Sequence, residues 1–430
     1  MNYRSHENHK KKNQSLPVFR ATLQQAHAVE IFVMAVPSPA TQSLVLFTAS
    51  ALAFVWWKRL SPAGKYRGIE TQQCPTIAID DALHLADQDA EHVVIIDTRT
   101  PKEFKEAHVW GAINIPLLSD DQRHLVGLTY HKQSRAAAIL VGWTVFAPRM
   151  HSFMQQFEKY RHYKHILVYC WRGGMRSRIV VNLLQRHGYQ TAQQITGGYK
   201  LYLNQIVWKG LDQFAKSYPP KFIVLFGHTG TRKTEILRKL RDDRSLPVLD
   251  LEGLAGHRSS VYGAVDLEPK SQKMFSIGIY HTLLTLQNEP FIFLEGEANK
   301  VGDVHVPSFL CDRIASDIKV LVKATIDTRI DAINKEYFKT DDSVRQLHEA
   351  TEVVRKYVGN ANADHLHDLL DKGERRSFTE WLLVNHYDGS YRFDKKGHEY
   401  DITVESNDIE ECCTKLEDFY RKQLTEYREG

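Results

Sequence analysis

Two apolar runs, His165-Ile-Leu-Val-Tyr-Cys170 and Lys221-Phe-Ile-Val-Leu-Phe226, each break into a glycine-containing loop and then into apolar residues at helical spacing. Short continuous runs of this kind, bounded by glycine, predict strands buried on both faces, the kind found in parallel sheets covered by helices. His92-Val-Val-Ile-Ile-Asp97 and Phe291-Ile-Phe-Leu-Glu295 add two more runs, each ending in an acid. The class is therefore α/β. At 430 residues the chain exceeds one domain of about 100–200 residues, so two such sheets are expected. Hydrophobic residues at 43% and charged residues at 25% exclude wholesale disorder and collagen-like chains.

The loop after Cys170 reads Trp171-Arg172-Gly173-Gly174-Met175-Arg176-Ser177. A thiol at the carboxyl end of a strand, facing a helix start, meets converging backbone N–H groups and the positive end of the helix dipole. Those donors, with Arg172 and Arg176, favour the thiolate and make Cys170 the candidate nucleophile. Asp97, Arg99 and His108 read as strand-end and turn residues that hold the loops.

The second loop, Gly227-His-Thr-Gly230-Thr-Arg232-Lys233-Thr234, has the spacing of a phosphate cradle. Backbone N–H groups converge on the anion, the lysine reaches its outer oxygens and the hydroxyl serves a metal such as magnesium. Arg232 stands where that pattern has glycine, which makes triphosphate hydrolysis doubtful while leaving phosphate binding expected. Glu295 ends its strand as a metal-water carboxylate would. Between Lys221 and Arg241 six basic residues face one acid, a local net of +5 that suits a phosphate-rich partner. The whole chain carries only +4.

Four stretches are expected: an extension (1–73), a first α/β domain (74–208), a second (217–345) after Tyr218-Pro-Pro220, and a helical carboxyl-terminal region (346–430). In the extension, basic residues precede a charge-free run from Ile31 to Trp57, followed by Lys58 and Arg59. That pattern fits a membrane anchor, an organellar presequence or a buried helix; without such a signal the location would be cytoplasmic. In the last stretch, Trp381, Tyr387, Tyr391 and Phe393 read as core aromatics, with stacking on tRNA bases as the alternative. The five cysteines, Cys74, Cys170, Cys311, Cys412 and Cys413, show no CxxC spacing, so neither a structural zinc site nor a disulfide partner is expected.

Asp97-Thr-Arg99, Glu103-Phe104, His108-Val-Trp-Gly111-Ala-Ile-Asn114, the Cys170 loop and Gly197-Gly198-Tyr199 together resemble a rhodanese domain. The resemblance implies a parallel-sheet fold and a cysteine that carries a transferable chalcogen as persulfide or perselenide. Followed by a P-loop NTPase-like domain, and by Asp250-Leu-Glu252-Gly253, His257-Arg258, Glu295-Gly-Glu297 and Asn334-Lys-Glu336-Tyr337-Phe338, the arrangement resembles the tRNA 2-selenouridine synthases. That family implies replacement of sulfur by selenium in wobble 2-thiouridine of tRNA through an S-geranyl intermediate. Selenophosphate and geranyl diphosphate are the implied co-substrates, with magnesium as an allowed companion and Glu252, His257, Arg258, Glu295 and Glu297 as supporting residues. Arg232, Ser259 and Asn299 depart from its pattern, the first two where it has glycine and the third where it has serine. A general sulfurtransferase and a catalytically decayed, membrane-tethered RNA-binding protein remain as alternatives.

Overall fold

The computed structural model describes residues 68–296, 299–340, 342–390 and 399–429. The extension through residue 67, Glu297, Tyr391 and Phe393 lie outside them, and the anchor expectation falls there. Among the described residues no helix is long and apolar enough to cross a membrane. The chain divides into two units at Tyr202/Leu203.

The first unit holds five parallel strands: β1 (Thr76–Ile77), β2 (Val93–Asp97), β3 (Ile113–Asn114), β4 (His165–Tyr169) and β5 (Ala192–Ile195), in the order β1-β5-β4-β2-β3. Ile166 and Val168 on β4 and Val94 and Ile96 on β2 pack with Phe153, Phe157, Val180 and Leu184 in one core. Burial on both faces follows from the unbroken apolar runs. Parallel pairing sets Asp97 opposite Tyr169, so the ends of β2 and β4, and the loops that follow them, lie at one edge of the sheet.

The second unit repeats the arrangement with β6 (Lys221–Phe226), β7 (Val248–Leu249), β8 (Phe291–Glu295), β11 (Ile318–Lys323) and β12 (Ile402–Glu405), ordered β12-β11-β6-β8-β7 and all parallel. A small antiparallel hairpin, β9 (Lys300–Val301) and β10 (Val304–His305), stands apart from that sheet. Three helices, Ser343–Val358, Asn360–Asp371 and Arg375–Leu382, share a core with Ile330, Ile333 and Tyr337. Leu347, Val354, Leu366 and Leu370, at helical spacing in the sequence, supply the buried stripe.

The end of the chain departs from the expected boundary at 345. β12 pairs with β11, and the final helix, Ile409–Glu429, sets Cys412, Cys413, Leu416 and Tyr420 among Ile223, Leu225 and Phe293. The last thirty or so residues complete the second sheet and its cover. A four-residue strand carries too little periodicity to be read as part of a remote sheet.

Candidate active site

Cys170 follows β4 and is 3% exposed. Its Sγ accepts from the backbone N–H of Gly174 at 3.2 Å and from the Ser177 hydroxyl at 3.2 Å. Gln194 on β5 fixes the pair, because its Nε2 donates to Ser177 Oγ at 2.7 Å and to the Gly174 carbonyl at 2.9 Å. The Ser177 hydroxyl has two acceptors in reach, the sulfur and the Gly174 carbonyl at 3.3 Å. Two donors aimed at one sulfur stabilise negative charge there.

Two glycine pairs let the backbone close around the thiol. Gly173 takes φ +63°, and a Cβ on it would lie 2.8 Å from the amide of Gly197. A Cβ on Gly198 would lie 2.2 Å from the Cys170 carbonyl oxygen. That contact makes room for the bond in which the Tyr199 N–H donates to the same oxygen at 2.9 Å.

Beneath the loop, Arg99 and Asp97 form a buried pair, 1% and 0% exposed, with the Arg99 Nη2–Asp97 Oδ2 distance at 2.6 Å. Nη2 also donates to the Ala107 carbonyl at 2.6 Å, and the guanidinium lies over the Tyr199 ring at 4.0 Å. Burial opposes the charge on Arg99, but the Asp97 carboxylate outweighs it and holds the guanidinium more basic than usual. His108 stacks on Phe104, with centroids 3.8 Å apart.

The two loop arginines separate. Arg172 is exposed. Arg176 makes a two-pronged pair with Glu103, at 2.7 and 3.3 Å, so its charge is shared with a carboxylate. Burial pushes the Glu103 carboxyl up, but the Arg176 hydrogen bond and charge prevail and hold it below its ordinary value.

In the second unit the loop after β6 leads into the helix Lys233–Asp242. Lys233 Nζ donates to the carbonyls of Gly227 at 2.9 Å and His228 at 3.3 Å, and a phosphate would offer the ammonium a stronger partner. The Thr234 hydroxyl donates to the Glu252 carboxylate at 2.5 Å, and Glu295 Oε1 accepts from the Glu252 N–H at 2.6 Å. Lys233, Thr234, Glu252 and Glu295 are thus brought together. Arg258 turns elsewhere, to Glu336 at 3.0 Å and the Val265 carbonyl at 2.8 Å. The His257 ring sits where a Cβ on Gly263 or Gly302 would come within 2.6 Å, and burial pushes its imidazole below the usual value.

Residues 80–205 match the Rhodanese-like domain family, and residues 220–423 match the family described as tRNA 2-selenouridine synthase AAA domain. A tRNA 2-selenouridine synthase of Nitrosomonas europaea is 34% identical over 274 residues, 62% of this chain and 68% of that protein. One from Salmonella newport is 30% identical, with 70% and 88% covered, and one from a Sulfurovum species is 28% identical, again with 70% and 88%. The chain belongs to the tRNA 2-selenouridine synthase family. Its AAA-domain match runs through β12 into the final helix, in accord with their place in the second sheet.

The backbone at 232 and 259 bears on the glycines that the resemblance implied there. Arg232 has φ +67° and Ser259 φ +53°, both left-handed, so the backbone keeps a conformation that favours glycine even where glycine is absent. The Arg232 side chain does not turn into its loop. Its Nε donates to Glu235 at 2.9 Å and its Nη1 to the Ser406 carbonyl at 3.3 Å.

Several residues of the two sites were not singled out from sequence. Ser177 carries a local signal, a hydroxyl one helical turn past a reactive loop. Gln194 carries none. Arg329 donates to the Thr229 carbonyl at 2.8 Å and pairs with Asp388, which also lies 3.3 Å from His228; these contacts hold the phosphate-type loop from elements far along the chain.

Proposed function

We propose that this chain replaces the sulfur of a wobble 2-thiouridine in tRNA by selenium, as a tRNA-modifying transferase. The observation that carries the reading is Cys170 Sγ held by the Gly174 amide and the Ser177 hydroxyl, in a chain that also carries a loop of phosphate-binding spacing.

Selenophosphate is the selenium donor on this reading and geranyl diphosphate the alkyl donor. The thiouridine sulfur attacks the geranyl carbon, the carbon–oxygen bond breaks and diphosphate leaves. The selenium of selenophosphate, delivered beside Cys170, then adds at C2, the C2–S bond breaks, the sulfur departs with its geranyl chain as a thiolate, and water cleaves the Se–P bond to release phosphate. Alkylation matters because it turns sulfur into a better leaving group. The loop Gly227–Thr234 cradles the phosphorylated donor, with Gly227 and Gly230 leaving its backbone open and Lys233 answering the phosphate charge. The adjacent oxygens of Thr234 and Glu252 are hard ligands of the kind magnesium takes. Magnesium there would neutralise phosphate charge.

The test is Cys170→Ser in the full chain, with wobble nucleosides measured by mass. Loss of selenation with geranylation and tRNA binding retained is expected. Selenation at the wild-type rate would reject the role of Cys170.

A further inference from the structure

We infer that Gln194 is a positioning residue for the reaction, keeping the Ser177 proton on the Cys170 sulfur by filling the competing acceptor. The inference deepens the function proposed above and rests on the role given there to Cys170. The Ser177 hydroxyl has one proton to give, and its two acceptors, Cys170 Sγ at 3.2 Å and the Gly174 carbonyl at 3.3 Å, are almost equally distant. Distance does not choose between them.

Occupancy does. The Gly174 carbonyl already accepts from the Arg178 N–H at 3.2 Å, the first bond of the helix Met175–Arg186, and from Gln194 Nε2 at 2.9 Å. A carbonyl oxygen has two lone pairs, and both are taken. The other Nε2 hydrogen goes to Ser177 Oγ at 2.7 Å, so Oγ is an acceptor on that side. The sulfur is then the acceptor with room for the hydroxyl proton, and as a thiolate it takes that proton more strongly than a carbonyl does.

The amide works only one way round. Were it flipped, Oε1 would face the Gly174 carbonyl oxygen, two acceptors with no proton between them. On its other side Oε1 accepts from the Cys74 thiol at 3.4 Å, and burial pushes that thiol up, so it keeps the proton that it donates. The backbone under the amide is fixed as well. β5 lies between β1 and β4, with Gln194 opposite Thr76 on one and Val168 on the other. Gln194 is 3% exposed and Ser177 0%, which keeps water from competing for these bonds.

The test reads the Cys170 thiol directly. Alkylation by iodoacetamide is followed in the full chain as a function of pH, by the mass of the peptide that carries Cys170. In Gln194→Met the Gly174 carbonyl regains a free lone pair and the hydroxyl proton turns to it. The midpoint of the pH–rate profile should rise by about one unit, the worth of one hydrogen bond to a charged acceptor. Ser177→Ala loses the same donor and should rise by the same amount. The double variant should rise no further, because Gln194 acts through Ser177. Gln194→Glu keeps the size, sets a carboxylate against the hydroxyl and should raise the midpoint by more than Gln194→Met does. The charged groups about the loop, Arg172, the Arg176–Glu103 pair and the Arg99–Asp97 pair, are the same in every variant. Unchanged midpoints in Gln194→Met and Gln194→Glu, each folded by circular dichroism, would overturn the inference. So would shifts that add in the double variant, as a merely structural role would give.

Selenation of an anticodon stem-loop RNA separates this inference from the proposed function. A fall of about tenfold at neutral pH in Gln194→Met, recovered above the raised midpoint, supports both. A shifted alkylation profile with selenation at the wild-type rate would count against the part of Cys170 in the proposed function and leave the positioning of its proton donor standing.

Discussion

Glycine should be more stable than alanine at position 232. Arg232 holds φ +67° and ψ +19° just before the helix Lys233–Asp242, a conformation that costs a residue with a Cβ about 1–2 kcal/mol. Its side chain offsets part of that cost. The pair with Glu235, at 18% and 31% exposure, contributes about 0.5 kcal/mol, and the long bond to the Ser406 carbonyl about 1 kcal/mol. Arg232→Ala keeps the strain and loses both contacts, so it should be destabilised by about 1.5 kcal/mol. Arg232→Gly loses the same contacts, sheds the strain and gains some freedom in the unfolded chain, leaving it within about 1 kcal/mol of wild type. Strain less chain freedom leaves the two variants about 1 kcal/mol apart. Urea unfolding of the intact chain reads this difference as a midpoint gap of about 0.5 M, taking a slope of about 2 kcal/mol per molar. An alanine variant as stable as the glycine variant would refute the assignment of left-handed strain to this position.

Asp97→Asn leaves a buried guanidinium unpaired and should cost about 3–5 kcal/mol; urea unfolding of Asp97→Asn, Arg99→Met and the double variant should find the double less damaged than the asparagine single. The Glu103 carboxyl lies below its ordinary 4.5, so the stability it supplies is full above that pH and lost as pH falls through the lowered value. Unfolding midpoints should therefore decline below pH 4.5 more steeply in wild type than in Glu103→Gln. Asp388→Asn weakens the hold of Arg329 and His228 on the second loop, and should lower affinity for inorganic diphosphate severalfold by calorimetry while leaving the rate of Cys170 alkylation by iodoacetamide unchanged.

The parts of this molecule that are local in sequence are the parts that sequence reveals. Both loops could be placed because strand, loop and helix follow one another within about twenty residues, and Asp97 and Arg99 are two residues apart. Arg176 shows the limit. Sequence sets it beside the thiol, but its strongest partner, Glu103, lies 73 residues earlier and reaches it only through the parallel pairing of β2 with β4. Gln194 was invisible for the same reason, since an amide on a strand announces nothing until the strand is placed. In the second unit the final helix was legible as a helix, but its docking beside β6 depends on β12, whose four residues cannot declare their sheet. The burial of Cys412 and Cys413 in that docking pushes their thiols up to about 12 and about 11.

The fit between Gly198 and the carbonyl of Cys170 bears on anyone wishing to transplant this chemistry. A synthetic peptide covering 165–186 would contain the nucleophile, both arginines and Ser177, and still lack the backbone surface that shapes them. A graft must bring Ile195–Tyr199 along with it. The smallest portable unit is two strand ends, distant in sequence and locked side by side.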